Sequence, residues 1–447
     1  VIPATVPHML SLIPIAFMIS TITTPYENGT VGFRIDLPSN SSVIATSAMP
    51  PSCLITGGNS SNTWHLRLDR GANPAGLTPQ KLVHELKNQH EDPSGTQILQ
   101  DQAVTLGGVD GWLLLIEQES PSGDASLFGW LVLPVVGDQY MLASVLTTES
   151  AWEVRRKEIN DTLNSIRLLD PVELITRKLA GLEAASHVLN SLNEKTLEPV
   201  IEFKEWRRFQ QVHQDGTSPI DIGYACVVVW KGTSAAIEAF TDPTYEHGQP
   251  SGIVVTLKTR LMPNPDQGTV IDSQARYWMS FDGKEERWKN QIKRWLDQSH
   301  VFESETGVRN RPKVGQPRAV LKVFQENLSA STIETPFETP VTDPWLPRAM
   351  HWVMGPVLAS SVDQEVFVWN TYDNVGNETV ITRRDELQVD PSGQFEVKTT
   401  FGDSGEVLHS RYDMHGNLLE QNQSGGIRIT GSDEATLKAI WEPLNLW

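Results

Sequence analysis

The sequence predicts an α+β fold in which antiparallel strands outnumber helices. Three observations predict it. Segment after segment alternates apolar and polar residues with a period of two, as half-buried strands do. Short turns rich in Gly, Asp, Pro and Ser separate these segments, too short for the crossovers that parallel strands need. Helical spacing shows in a few places only, mostly after a capping residue. The 447 residues exceed the roughly 100–200 of one domain. The pattern divides them into a signal-like or disordered N-terminus over 1–28, an α+β domain over 29–170, a connector helix over 171–197 and a large antiparallel domain over 198–447.

The first domain opens with an alternating strand over 31–38 that ends at a proline. A second strand follows over 64–70, with Trp64, Leu66 and Leu68 on one face. Thr78 and Pro79 form an N-cap and first-turn pair, and Leu82, Val83 and Leu86 give the next helix its apolar stripe. Three long strands over 109–119, 126–135 and 139–148 form a meander. A helix carrying Trp152, Ile159, Leu163 and Ile166 closes the domain.

This order, with GFRIDLP near its start, the central hairpins and the closing helix ending in SIRLLD, resembles the PsbP-like family over about a third of the chain. The resemblance implies an α/β/α sandwich with an antiparallel sheet, and a binding or assembly role rather than chemistry.

Asp170, Pro171 and Glu173 start the connector helix in the manner of a capped N-terminus. Its apolar side carries Leu174, Ile175, Leu179, Leu182, Leu189 and Leu192, and it is expected to pack against both domains. In the second domain the segment 200–214 reads as a strand. On the next, Ile222, Tyr224, Cys226, Val228 and Trp230 share one face, which is expected to point inward. Ile253, Val255, Leu257 and Leu261 share a face of the strand after it. Ile271, Ala275, Tyr277, Met279 and Phe281 do so on the following one. Asp282-Gly283 is a hairpin signal. The segment 285–296 is ambiguous: Trp288, Ile292 and Trp295 fit a helix, whereas the turn before it argues for a strand.

Residues 329–347 are rich in Thr, Pro, Ser and Glu and read as an exposed loop. A short apolar helix over 346–360 is interrupted at Pro356. Six further strands follow, and Ser432 caps a last helix carrying Leu437, Ile440 and Trp441. So many strands joined by tight turns form a sheet that must curl to hide one face. EWRRF…DGTSPIDIGY, LPRAMHWVMGPVL and RYDMHGNLLEQNQSGGIRI resemble the LolA-like lipoprotein-carrier family over roughly half the chain. That resemblance implies a large curved sheet, a half-barrel wrapped round short helices, with acyl chains or other apolar ligands in its concave face.

With 36 Lys and Arg against 55 Asp and Glu the net charge is −19. Such a surface repels phosphates, so nucleic acid is not an expected partner. Cys53 and Cys226 form no CxxC pair, which excludes a cysteine zinc site; they fall in different predicted domains and are expected to be two buried thiols rather than a disulfide. The apolar run 9–22 is too short to span a bilayer and suits the core of a signal peptide, although no Lys or Arg precedes it and no small-x-small cleavage site follows. The alternative is a buried N-terminal segment. The expected location is extracytoplasmic, periplasmic or secreted, with a cytoplasmic one left open. No later stretch approaches transmembrane length, so no integral span is expected.

Several motifs yield to plainer readings. Gly402-Asp403-Ser404-Gly405 is similar to the nucleophile loop of trypsin-like proteases, but Glu406 follows it and it lies between two strands, where Asp and Gly make turns. YDxxGN occurs at Tyr372 and again at Tyr412; it resembles the YD repeats of bacterial toxin shells, yet two copies make ordinary hairpins. His84 and His90 are six apart, which does not put two ligands on one helix face. His351 reads as a satisfied core histidine. Asn28, Asn40, Asn160, Asn327 and Asn377 head Asn-x-Ser/Thr triplets, which matter only in a glycosylating host. No dinucleotide, P-loop or nucleophile-elbow motif occurs. No catalytic residue, cofactor or metal site is expected.

The 14 tryptophans are the unusual feature. Trp206, Trp230, Trp278 and Trp369 lie on second-domain strands and are the ligand-cavity candidates, weighed against membership of a plain core. Trp278 falls on the face opposite Tyr277 and Phe281 and is the candidate for a groove open to solvent. The expected function is a non-catalytic envelope protein that binds a lipid or other apolar molecule in its second domain. The alternatives are an assembly module for a protein partner, and a hydrolase without a recognisable motif.

Overall fold

The computed structural model describes residues 23–39, 41–46, 52–89, 96–119, 125–212, 218–237, 250–264, 269–296, 299–312, 315–327, 332–333, 337–359, 365–375, 378–402, 407–423, 426–444 and 446–447. The apolar run 9–22, His90, Asn40, Asn377 and residues 403–406 of the Gly-Asp-Ser-Gly motif lie outside them. The chain folds as two compact units, Val1–Leu169 and Asp170–Trp447. The described residues are mostly antiparallel strands with five α-helices and two large sheets, neither closed into a barrel, as the α+β class predicts.

The first unit contains β1 (Thr23–Asn28), β2 (Phe33–Pro38), β3 (Ser42–Thr46), β4 (Ser52–Gly57), β5 (Trp64–Ala72), α1 (Pro79–Gln89), β6 (Thr96–Leu106), β7 (Val109–Glu119), β8 (Ala125–Val135), β9 (Gln139–Thr148), α2 (Glu149–Asn164) and β10 (Arg167–Leu168). Seven strands form one sheet in the order β3-β4-β5-β9-β8-β7-β6, and β1-β2-β10 form a second. Alternation on β8 serves two apolar clusters at once. Leu131 and Leu133 join Ile159 and Leu163 of α2, while Trp130 and Val132 join Val83 of α1.

Two expectations need correction here. Residues 23–28, read as part of a disordered N-terminus, pair with β2 from Thr23↔Pro38 to Asn28↔Phe33, and Tyr26 is buried. The turn between them is built by Asn28, whose side-chain oxygen accepts from the backbone N–H groups of Thr30 and Val31. The strands β3, β4 and β6 have no counterpart in the sequence reading. Strand β6 is largely exposed on both faces, so it carries no alternation to detect.

The second unit begins with α3 (Pro171–Ser191), capped by the Asp170 carboxylate on the Val172 N–H. Then come β11 (Lys204–Gln211), β12 (Ile220–Thr233), β13 (Ser251–Asn264), β14 (Thr269–Ser280), β15 (Glu286–Leu296), β16 (Ser299–Arg309), β17 (Val320–Asn327), β18 (Thr332–Ile333) and β19 (Phe337–Pro340). After these follow α4 (Met350–Leu358), β20 (Glu365–Val375), β21 (Glu378–Val389), β22 (Phe395–Phe401), β23 (Val407–Tyr412), β24 (Leu418–Gln423), β25 (Ile427–Ser432) and α5 (Glu434–Trp441). One sheet runs β18-β17-β16-β15-β14-β13-β12-β11-β25-β24-β23-β22-β21-β20, with β19 paired to β17. A single bridge, Trp345 to Asn370, links the chain after β19 to β20.

One face of this sheet meets α4. Val227 and Val229 of β12, Val255 of β13, Tyr277 of β14 and Phe367 and Trp369 of β20 share one cluster with Met350, Val353 and Met354. The inward face of β12 is therefore the odd-numbered one, and the expectation that Ile222, Tyr224, Cys226, Val228 and Trp230 point to the core is overturned. Both faces of β12 are apolar enough to be buried, so period-two alternation could not choose between them. On β13 and β14 the inward residues are those the sequence indicated.

The ambiguous segment after Gly283 is the strand β15, with Trp288 opposite Tyr277. The predicted loop 329–347 is structured in its described second half. Strand β19 pairs with β17, and Trp345 and Leu346 are buried. Pro356 lies inside α4 without ending it. Asp433, not Ser432, caps α5, through the Thr436 N–H.

Helix α3 packs with its small residues rather than its large ones. Gly181 and Ala185 are buried, while Ile175 and Leu179 are 60% and 59% exposed. A Cβ at Gly181 would stand 2.6 Å from Val368 Cγ2, so the absence of a side chain lets the helix lie against β20.

Candidate functional site

The second unit has two places where polar chemistry gathers, one on each face of its sheet. The inner one surrounds α4. Glu286 accepts from Trp345 Nε1 and from Arg309 Nε. Glu305 accepts from Trp288 Nε1 at 2.9 Å and from the Tyr372 hydroxyl at 2.7 Å. Asp385 accepts from Trp369 Nε1 at 2.8 Å and Arg383 Nε at 2.9 Å. Glu205 pairs with Arg207 and also accepts the Leu418 N–H. Burial opposes the charge of Arg348, but Tyr277 and Glu305 outweigh it and raise the guanidinium pKa. Burial and Glu305 likewise raise the Tyr372 phenol.

His351, bonded to Thr371 Oγ1 at 2.8 Å, has its pKa held well below the usual value by burial and by Arg383 and Arg348. Glu286, Asp385 and Glu205 each pair with an arginine, Glu305 interacts through its charge with Arg348, and all four accept from further donors, so the network balances its own charge. Buried polar groups satisfied in this way fix the packing of a core rather than await a ligand.

The outer place is a groove of about 750 Å³ on the opposite face, in the size range of small-molecule sites. Strand register builds it in rows. Trp206, Cys226, Lys258, Gln274 and Gln291 lie side by side across β11 to β15. In the next row Tyr224, Arg260, Asp272, Lys293 and Phe302 are neighbours. Beyond the first row, Lys204 leads to Val228 and Thr256.

The wall comes from the segment after α5. Trp447 stacks on Tyr224 with ring centroids 5.0 Å apart and lies 5.3 Å from Trp206. The Leu446 carbonyl accepts from the Tyr224 hydroxyl at 3.2 Å and from Arg260 Nη1 at 3.1 Å. Burial pushes the Tyr224 phenol above its usual pKa, which keeps that donor protonated. Arg260 also makes a two-pronged pair with Asp272 at 2.7 and 2.9 Å. Lys204 lies over the Trp206 ring and reaches Glu434 at 3.4 Å. Burial pushes the Cys226 thiol up.

The four tryptophans singled out from the sequence do not meet in one cavity. Trp206 lines the outer groove. Trp278, expected beside an open groove, is 1% exposed and packs with Ile237 and Val254, and Trp230 packs against the same cluster. Trp369 belongs to the main core and stacks on Phe367. The inner face is filled there by α4 and by Trp288, Trp345 and Trp369. Tyr224, Thr256, Lys258 and Trp447 are groove residues that sequence reasoning missed. The usable signal was the shared parity of Tyr224 and Cys226, opposite Trp206, together with Lys258 and Arg260 on the next strand. Among the described residues no group of three or more His, Cys, Asp or Glu side chains is placed to hold a metal ion. No described helix is long and apolar enough to cross a membrane.

No family model matches the chain, and no curated protein matches it. Solved structures do resemble it in part. A β-barrel-like protein of a domain of unknown function from Brucella abortus is 13% identical, over 52% of this chain and 95% of that one, with a TM-score of 0.33. The solution structure of cyanobacterial PsbP from Synechocystis is 11% identical, over 36% of this chain and 98% of that one, with a TM-score of 0.26. A protein of unknown function from Pseudomonas aeruginosa, described as a putative regulator, is 11% identical over 32% of this chain and 94% of that one, with a TM-score of 0.22. The likeness to a PsbP structure matches the weak resemblance read from the sequence.

Proposed function

We propose that the protein is a non-catalytic binding protein of the cell envelope whose second unit holds a lipid or another apolar molecule in the outer groove. One observation carries this: Trp206, Tyr224 and Trp447 form an aromatic corner that stays open on a concave surface. Aromatic rings around a concave site supply large apolar contact with little conformational cost. The inner face, where a half-barrel carrier would keep its ligand, is taken by α4. The half-barrel description itself draws support from the core that β12–β14 share with β20–β22 and from the Trp345–Asn370 bridge. The extracytoplasmic setting follows from the signal-like apolar run 9–22.

The test uses the full chain. Native mass spectrometry of the freshly purified protein looks for a co-purified apolar ligand, and a fluorescent fatty-acid titration measures binding with and without Trp206→Ala. Saturable binding that the substitution abolishes is the expected result. A chain that carries nothing and binds nothing sinks the proposal.

A second reading, an assembly module for a protein partner, draws on Val172, Ile175 and Leu179, an exposed apolar stripe along α3. Concentration-dependent self-association that Ile175→Glu removes is the result that favours it.

A further inference from the structure

We infer that the occupant of the outer groove is an amphipathic anion, with its carboxylate or phosphate head held by Lys258 and Thr256 and its apolar body against Trp206, Tyr224 and Trp447; this rests on the reading of the groove as a ligand site. Charge makes the first argument. The chain carries −19 overall, yet this groove is lined by Lys204, Lys258, Arg260 and Lys293 against only Asp272 and Glu434. The two acids are already engaged. Asp272 is held by both prongs of Arg260, and Glu434 is shared between Lys204 and Lys438. Among the described residues Lys258 and Lys293 have no ion-pair partner, and Lys293 lies over the Trp295 ring instead. A local surplus of cations on an acidic protein focuses field on one spot and attracts anions there.

The second argument is independent of charge. Thr256 is 9% exposed, lines the groove, and its hydroxyl has no hydrogen-bond partner. A buried hydroxyl left unpaired costs free energy; its oxygen has under 1 Å² of accessible surface, so a ligand oxygen satisfies it only once the side chains covering it move aside. Thr256 and Lys258 are alternate residues on one face of β13, so hydroxyl and ammonium are neighbours that can hold one oxyanion head. On the other side of the same face, Val228 and Cys226 lead to the aromatic corner. The body is thereby assigned to the β11–β12 end of the groove and the head to β13, at its middle.

The experiment titrates the full chain with dodecanoate, dodecyl phosphate, the neutral lipid monolaurin and inorganic phosphate, each below any micelle concentration, and reads tryptophan fluorescence. The two anionic amphipaths are expected to bind about tenfold more tightly than monolaurin, the yield of one charge-assisted hydrogen bond. Their affinity falls as salt rises, because the contact is partly exposed. Lys258→Gln, at an exposed position, removes most of that preference. The carboxylate and phosphate arms tell which head is preferred. Equal binding of neutral and anionic amphipaths, or no effect of Lys258→Gln, overturns the anionic head and leaves the groove reading standing. Inorganic phosphate binding as tightly as dodecyl phosphate overturns the amphipath. Failure of every amphipath to bind removes both proposals together.

Discussion

Gly355 of α4 and Gly416 meet backbone to backbone: a Cβ at Gly355 would stand 2.4 Å from the Gly416 carbonyl oxygen. Gly416 needs φ = +82° in a turn held by Asp413, whose carboxylate accepts from the His415 and Asn417 N–H groups. Neither partner can retreat, since one is a core helix and the other a pinned turn. Gly355→Ala is therefore expected to destabilise the second unit by about 1–3 kcal/mol, the usual range of overpacking, despite the better helix propensity of alanine. Urea unfolding followed by tryptophan fluorescence measures it. A midpoint equal to or above that of the parent protein contradicts the close approach.

Asp385 is the most buried carboxylate of the inner network, at 0% exposure, and serves Trp369, Arg383 and Thr399 at once. Asp385→Ala strands the Arg383 charge and two neutral donors. The expected loss is about 3–5 kcal/mol, as for other broken buried pairs. An Asp385→Ala, Arg383→Leu double variant should recover part of it, because removing both charges leaves none unpaired. No recovery in equilibrium unfolding would mean that the pair is not the source of the loss.

The YDxxGN motif at Tyr412 shows what was legible in the sequence. Asp and Gly spelled the turn, and Asp413 and Gly416 build it. Asp282-Gly283 likewise placed the β14–β15 hairpin. The groove was harder to see because it depends on which face of β12 is inward. Ala225, Val227 and Val229 are as apolar as Tyr224, Cys226 and Val228, and only the far-off α4 and Trp447 decide between them. The candidate tryptophans failed as a set for the same reason: parity places a residue on a face but not under its cover. Trp278 lies on the outer face, as its parity indicated, yet the segment ending at Ile237 covers it. Helix α3 misled in another way. Its large apolar residues suggested the buried side, whereas closeness to Val368 selected Gly181 and Ala185.

His351 gives the second unit an acid-sensitive element. Its folded-state pKa lies well below the usual value, because burial, Arg383 and Arg348 all oppose a proton there. In the unfolded chain it titrates near 6.5. Below that pH the unfolded state binds a proton that the folded state refuses, so stability falls with falling pH by up to about 1.4 kcal/mol per unit. Above it the contribution of His351 is constant. His351→Gln, which can still bond Thr371, is expected to flatten the decline in urea midpoint between about pH 6.5 and 5.5, the window set by the unfolded histidine. An equally steep decline in the variant would assign the acid sensitivity to other groups.

The two thiols separate the groove from the first unit's core. Cys226 is buried but lines the groove, and burial raises its pKa. Cys53 is fully buried in the first unit, its sulfur 3.9 Å from the Tyr26 hydroxyl. Thiol reagents attack the thiolate, so a raised pKa slows Cys226 at neutral pH and shifts its gain in rate to higher pH than for a free thiol. Maleimide labelling of the native chain should therefore modify Cys226 slowly and Cys53 only after denaturation, with mass spectrometry of the digest assigning the site. Trp447→Ala removes the ring stacked on Tyr224, and opening that wall is expected to speed Cys226 while leaving Cys53 untouched. A saturating groove ligand should slow Cys226 again, because Cys226 lies between Trp206 and Lys258 in the row that the ligand covers. Native labelling of Cys53 ahead of Cys226 would refute the placement of both.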